Sequence, residues 1–167
     1  VLLMCRIIEL LKPKGRIHLM KALYTVDCML NLNSTTQYQR QKHGPYDARI
    51  EEYEKVLMKN GWVDIKAGSP VEYTQTETFE AYREKYQSYY GHIDDDIQRL
   101  CSFLQPMKTS KAERVATLLA AWNDFILQGI KPTDSQLVQE VRSNWTPNKA
   151  HSSESTWLGT LAEMKVH

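Results

Sequence analysis

Asp94, Asp95 and Asp96 form the densest group of acidic side chains in the 167-residue sequence. Clustered carboxylates can bind a divalent cation or act as a general acid and base. This run lies in a stretch with helical periodicity, where each residue is turned by about 100° from the one before it. Three consecutive side chains on a helix therefore point in different directions, and we interpret the run as a solvated helix face.

The histidine, cysteine and glycine patterns do not indicate a catalytic or metal centre. The five histidines share no HxxH or HExxH spacing; they are His18, His43, His92, His151 and His167. The three cysteines form no CxxC pair, which predicts buried thiols in a reducing compartment; they are Cys5, Cys28 and Cys101. The GxSxG, GxGxxG and GxxxxGKS/T motifs are missing too. We therefore expect no enzymatic activity, cofactor, metal or small-molecule substrate.

The composition indicates an ordinary globular domain, with 42% hydrophobic residues, 25% charged residues and a net charge of +1. The sequence contains no run of about 18 apolar residues, so we expect no membrane partner and a cytoplasmic location. The chain begins at Val1 inside an apolar helical pattern. This start predicts a segment cut from a longer polypeptide.

The basic residues are concentrated near the start of the chain. Residues 1–50 contain eight Lys/Arg against three Asp/Glu, whereas residues 51–104 contain six against eleven. A basic surface attracts phosphate or an acidic partner. The best binding candidates flank a Gly-Pro turn and are Arg16, Lys21, Arg40, Lys42, His43 and Arg49. Alternatively, these charges only solvate helix surfaces. The helix after the turn is acidic and would repel phosphate, so a loop or wing is the better candidate for DNA contact.

A helix followed by a β-hairpin is the clearest pattern of the first half. Asp47 can cap the helix by accepting a backbone N–H, and Gly61 can end it. Two β-rich runs within residues 62–74 then predict the hairpin. Residues 33–42 form either a third strand of the same sheet or a loop. This order of elements predicts a winged-helix-like half over residues 1–76.

Residues 77–167 predict a helical bundle that forms one compact unit with the first half. Its strongest helix runs from a capping box at Ser110–Glu113 to about Gln128, and a second box at Thr133–Gln136 starts a shorter helix. Three tryptophans are predicted to anchor the core: Trp122, Trp145 and Trp157. Four tyrosines could stack on bases, but their helical spacing favours a core stripe; they are Tyr82, Tyr86, Tyr89 and Tyr90. The expected fold class is mainly α (α+β).

Three segments carry a resemblance to known proteins: residues 16–30, 37–62 and 118–149. Their matching features are Lys21 and Leu23, Gly44-Pro45 with Asp47, Gly61-Trp62, Ala121-Trp122-Asn123-Asp124 with Gly129 and Pro132, and Val141-Arg142 and Trp145 with Lys149. Together they resemble a helical domain at the C-terminal end of type I restriction–modification subunits, chiefly of the specificity type. The first half more loosely resembles antitoxin domains of the SocA type, through its order of helix, Gly-Pro turn, helix and wing.

The resemblance implies a non-catalytic accessory domain of a bacterial type I restriction–modification system. Such a domain would dock other restriction–modification subunits, contact DNA, or do both. The alternative is an antitoxin-like or transcription-regulatory binding module, which would use the basic turn around His43. Neither family assigns catalysis to this region, so the resemblance implies no catalytic residues.

Overall fold

Helices dominate the computed structural model, which describes residues 1–32, 34 and 37–167. The α-helices are α1 (Leu2–Leu11), α2 (Arg16–Met29), α3 (Ile50–Lys59), α4 (Arg83–Tyr90), α5 (Asp94–Leu104), α6 (Thr109–Leu127), α7 (Asp134–Glu140) and α8 (Glu154–Val166). Short 3-10 turns cover Phe79–Tyr82, Gly91–Ile93 and Pro147–His151, and a π-helical turn covers Val141–Trp145. The strands are β1 (Gln39–Gln41), β2 (Gly44–Tyr46), β3 (Val63–Lys66) and β4 (Glu72–Gln75). The mainly α class is therefore confirmed.

The strands form two separate two-stranded antiparallel sheets. β3 pairs with β4 as the predicted hairpin, and β1 pairs with β2, which contains Gly44 and Pro45, across a turn at Lys42 and His43. The prediction that residues 33–42 add a third strand to the hairpin is wrong for residues 39–41, because their partner is β2. Residues 33, 35 and 36 of that predicted segment lie outside the described residues. The helix and hairpin are present, but a winged-helix arrangement is not confirmed.

Local signals mark the end of α3 and the start of α7. α3 ends where Gly61 takes a φ of +68°, a backbone conformation that glycine adopts without a steric cost. The Thr133–Gln136 capping box is confirmed, with both reciprocal hydrogen bonds present. The predicted box at Ser110–Glu113 is wrong, because α6 already begins at Thr109 and has no side-chain cap. Glu113 instead lies inside the helix, where it pairs with Lys149.

Two apolar clusters form the interior of the described chain. The first draws on α1, α2, α3, α5 and the start of α6, and it includes the buried Tyr82 and Tyr86. The second joins α6, α7 and α8 around Trp157, with Trp145 beside it. These two tryptophans are core anchors as predicted, whereas Tyr89 is exposed and does not belong to the stripe. α2 packs along α6, while the predicted boundary between residues 1–76 and 77–167 stays a prediction.

The acidic run at the start of α5 is divided between solvent and the interior. Asp94 accepts two hydrogen bonds from the Arg6 guanidinium, at 2.8 and 2.7 Å, and a third from the Tyr86 hydroxyl at 2.5 Å. These donors hold the pKa of the Asp94 carboxyl below its usual value, although burial opposes them. The prediction of a solvated face is therefore wrong for Asp94, which ties α5 to α1.

No helix in the described ranges has both the length and the apolar character needed to cross a bilayer. The thiols of Cys5 and Cys101 are buried as predicted, and that of Cys28 is partly buried. Burial raises the pKa of the Cys5 and Cys101 thiols to about 12. Both are therefore protonated, unreactive parts of the core at neutral pH.

Candidate partner-binding surface

The β1–β2 hairpin gathers half of the predicted basic candidates. Arg40, Lys42 and His43 lie on β1 and at its turn, and the buried Lys21 lies beneath β2. Arg16 and Arg49 lie apart from them, beside α3. The six residues therefore do not form one continuous basic surface.

Arg40 is held by carboxylates of the second half of the chain. Its guanidinium contacts Asp124 at 2.8 Å and Glu140 at 2.9 Å, and it lies 4.6 Å from the centre of the Trp145 ring. The Trp145 indole N–H in turn donates to Gln41 O at 2.8 Å. These contacts fix the hairpin against α6 and α7, so Arg40 acts chiefly as a structural link.

The two arginines beside α3 have similar partners. Arg16 forms a bidentate pair with Glu54, at 2.7 and 3.0 Å, and also contacts Glu51. Arg49 donates to Asp47 through its guanidinium and its backbone N–H. Their charges are thus balanced within the molecule. Of the six candidates, Lys42 is exposed and has no ion-pair partner among the described residues.

Lys21 is buried at the junction of α2, the β1–β2 hairpin and α6. Its ammonium donates to Pro45 O at 2.5 Å. Nearby, Glu113 accepts from Lys149 and lies 3.2 Å from the His43 ring. Desolvation lowers the pKa of Lys21 to about 7, with Glu113 opposing this effect and Lys149 adding to it. The fully buried Lys21 side chain cannot touch a partner.

Gly44 brings the hairpin close to α6 above this lysine. Its φ is +89°, and a Cβ placed on it would lie 2.5 Å from Thr117 Oγ1. We expect Gly44→Ala to lower the free energy of unfolding by about 2–4 kcal/mol, since it adds backbone strain and a steric clash. Urea denaturation would measure this loss.

Gly129→Ala is the matched control for that substitution. Gly129 has a φ of +74°, but a Cβ there would meet no atom within 4 Å. We expect a smaller loss of about 1–2 kcal/mol from backbone strain alone. Equal losses in the two variants, or no recovery of Gly44→Ala by Thr117→Ala, would contradict the clash.

The end of α6 presents an apolar surface that includes Trp122, which was predicted to anchor the core. Trp122 and Ile126 lie one turn apart and are 44% and 42% exposed, and Leu127 is 78% exposed. Ile130, at 45% exposure, is folded back onto this turn because its N–H donates to Phe125 O at 2.9 Å. We call these four residues the α6 strip. The prediction that Trp122 anchors the core is wrong, because helical periodicity does not show how far a neighbouring helix covers an apolar face.

The geometry defines a mainly helical domain with an exposed apolar strip, in which Arg16, Arg40 and Arg49 are paired with carboxylates. The described residues contain no group of His, Cys, Asp and Glu side chains arranged to hold a metal ion. Comparison of the chain with protein-family models, curated proteins and solved structures finds no match. Its function is therefore inferred from the residues themselves.

Proposed function

We propose that this chain is a non-catalytic accessory domain of a bacterial type I restriction–modification system that docks a partner subunit in the cytoplasm. The α6 strip is the observation that carries this proposal. Contiguous exposed apolar side chains on a folded domain are typical of protein–protein contacts. Trp122, at the start of the strip, is one of the residue types that are enriched among side chains that dominate binding energy. Residues 118–149, which include Trp122, are one of the segments that resemble type I restriction–modification subunits, and this resemblance is the basis for proposing that system.

The pairing of three candidate arginines with carboxylates supports protein docking over direct DNA binding at these residues. Lys and Arg side chains that bind phosphates release the counterions condensed on the DNA, and this release supplies most of the non-specific affinity. Arg16, Arg40 and Arg49 each already contact a carboxylate, so DNA would have to compete with these pairs. The exposed Lys42 and His43, at the tip of the β1–β2 hairpin, are the best placed for such contact, although the His43 ring lies 3.2 Å from Glu113.

An antitoxin-like binding module is the second candidate. The order of α2, Gly44-Pro45, α3 and the β3–β4 hairpin supports it, since this order is the basis of the looser SocA resemblance. The same α6 strip would then contact a toxin. Genes for a methylase and a helicase beside this one favour the first proposal, and a gene for a small toxin favours the second.

Substitutions in the α6 strip are expected to abolish partner docking without unfolding the chain. Leu127→Asp and Trp122→Ala should each weaken co-purification with the neighbouring modification or translocase subunit by about tenfold or more, because they remove central apolar contacts. Tyr89→Ser is the matched control, since Tyr89 is 68% exposed on α4, outside the strip. Co-purification that survives both strip variants would exclude this surface.

A salt series separates the DNA role from the docking role. If the hairpin contacts phosphate, the affinity for random duplex should fall steeply with salt, and Lys42→Glu should reduce the slope of that fall by about one. Lys59→Glu, at the exposed end of α3, is the control for a change of net charge. A lack of binding at low salt would eliminate direct DNA contact and leave protein docking.

A further inference from the structure

The outer edge of β4 carries backbone groups that are open to a further strand. The Thr76 N–H donates to Trp62 O in the β3–β4 hairpin at 3.1 Å. Successive residues of an antiparallel strand direct their N–H and C=O groups to alternate sides. Tyr73 and Gln75 therefore direct theirs away from β3, and no other segment of the described chain donates to or accepts from them.

A groove with a volume of about 510 Å³ runs along this edge. Consecutive residues 70–75 line one wall of the groove, and no residue of β3 lines it. The groove therefore follows the outer edge of β4 and not one face of the β3–β4 sheet. Ile8 and the α1–α2 connection, residues 12–15, form the other wall. The groove narrows at one end, where a Cβ on Gly15 would lie 2.8 Å from Pro70 Cβ.

The wall opposite β4 is basic. Lys12 is exposed and forms no ion pair within the described residues. Lys14 is also exposed, and its ammonium donates to Met107 O at 2.9 Å, which leaves two of its three N–H groups for other acceptors. The groove thus offers strand backbone groups on one side, where Glu72 is the one acidic residue of its described lining, and two lysines on the other side.

We propose that this groove binds an extended, acidic segment of a partner protein as an added strand on β4. The backbone groups of Tyr73 and Gln75 would form the ladder, and Lys12 and Lys14 would contact carboxylates of the segment. The contrast with β1 supports this role, because the Trp145 indole covers part of the β1 backbone by donating to Gln41 O. Uncovered strand edges are templates for pairing with another chain.

The test starts from random peptides of about ten residues, displayed on phage and selected against the full chain. Peptides enriched in Asp and Glu are expected, and synthetic copies are then titrated against variants. Gln75→Pro removes an outward N–H that the β3–β4 ladder does not use. It should lower the peptide affinity at least about tenfold, and Lys12→Glu should do the same through charge alone.

Lys59→Glu is the matched control for charge, and an unchanged melting curve of Gln75→Pro confirms that this variant is folded. Failure to enrich acidic peptides, or equal binding by all variants, would overturn the proposal. A concentration-dependent dimer that Gln75→Pro abolishes would also overturn it, because the edge would then bind a second copy of the chain. Displacement of the peptide by DNA would overturn it as well. Gln75→Pro and Lys12→Glu leave the α6 strip unchanged, so a loss of peptide binding in these variants is independent of docking to restriction–modification subunits.

Discussion

Replacing Lys21 by methionine is expected to flatten the pH dependence of stability above pH 7. Burial lowers the pKa of Lys21 from 10.5 to about 7 in the folded chain. Between these two values the unfolded chain holds a proton that the folded chain has released, so the free energy of unfolding rises with pH in this window. The predicted slope is about 1.4 kcal/mol per pH unit, and below pH 7 the contribution of Lys21 is constant.

Comparison of Lys21→Met with the wild type isolates the contribution of Lys21 from those of the neighbouring titratable groups. Glu113, Lys149 and His43 face the same junction and are present in both proteins. The difference in free energy of unfolding between wild type and Lys21→Met should therefore grow by about 2 kcal/mol from pH 7 to pH 8.5. Urea denaturation at several pH values measures it. Parallel curves for the two proteins would show that Lys21 keeps an ordinary pKa.

Asp47→Ala is expected to destabilise the fold by about 2–4 kcal/mol, because it leaves donors without their acceptor and removes a buried partner of Arg49. The Asp47 carboxylate is 2% exposed. It accepts from the backbone N–H groups of Gln37 and Arg49, at 2.8 and 2.9 Å, and from the Tyr53 hydroxyl at 3.3 Å. The Arg49 guanidinium adds two further hydrogen bonds.

Asp47→Asn is the control, since its amide oxygen can still accept from backbone N–H groups. We expect it to lose less stability than Asp47→Ala at pH 7. The Arg49 guanidinium and the two backbone N–H groups lower the pKa of Asp47 against the effect of burial. Its stabilisation is therefore present above the unfolded value of 3.8 and is lost as the pH falls below it. A loss under about 0.5 kcal/mol in Asp47→Ala would refute this role.

The charge composition predicted a basic binding surface, but in the folded chain several of its residues form ion pairs with distant carboxylates. The six candidates are all in the first 50 residues, but the partners of Arg40 are Asp124 and Glu140. Sequence separations of 84 and 100 residues hide these pairs from local reasoning. Lys21 differs again, because its position on α2 turns it toward β2 and α6 and away from solvent.

The sequence by itself determined the helices, the β3–β4 hairpin and the Thr133 capping box. These features depend on residues within a few positions of one another, where spacing, caps and glycine act directly. Only the tertiary structure decided that Asp94 pairs with Arg6 and that Trp122 is exposed. Each of these depends on which distant element covers a given face, and a local pattern carries no information about that neighbour.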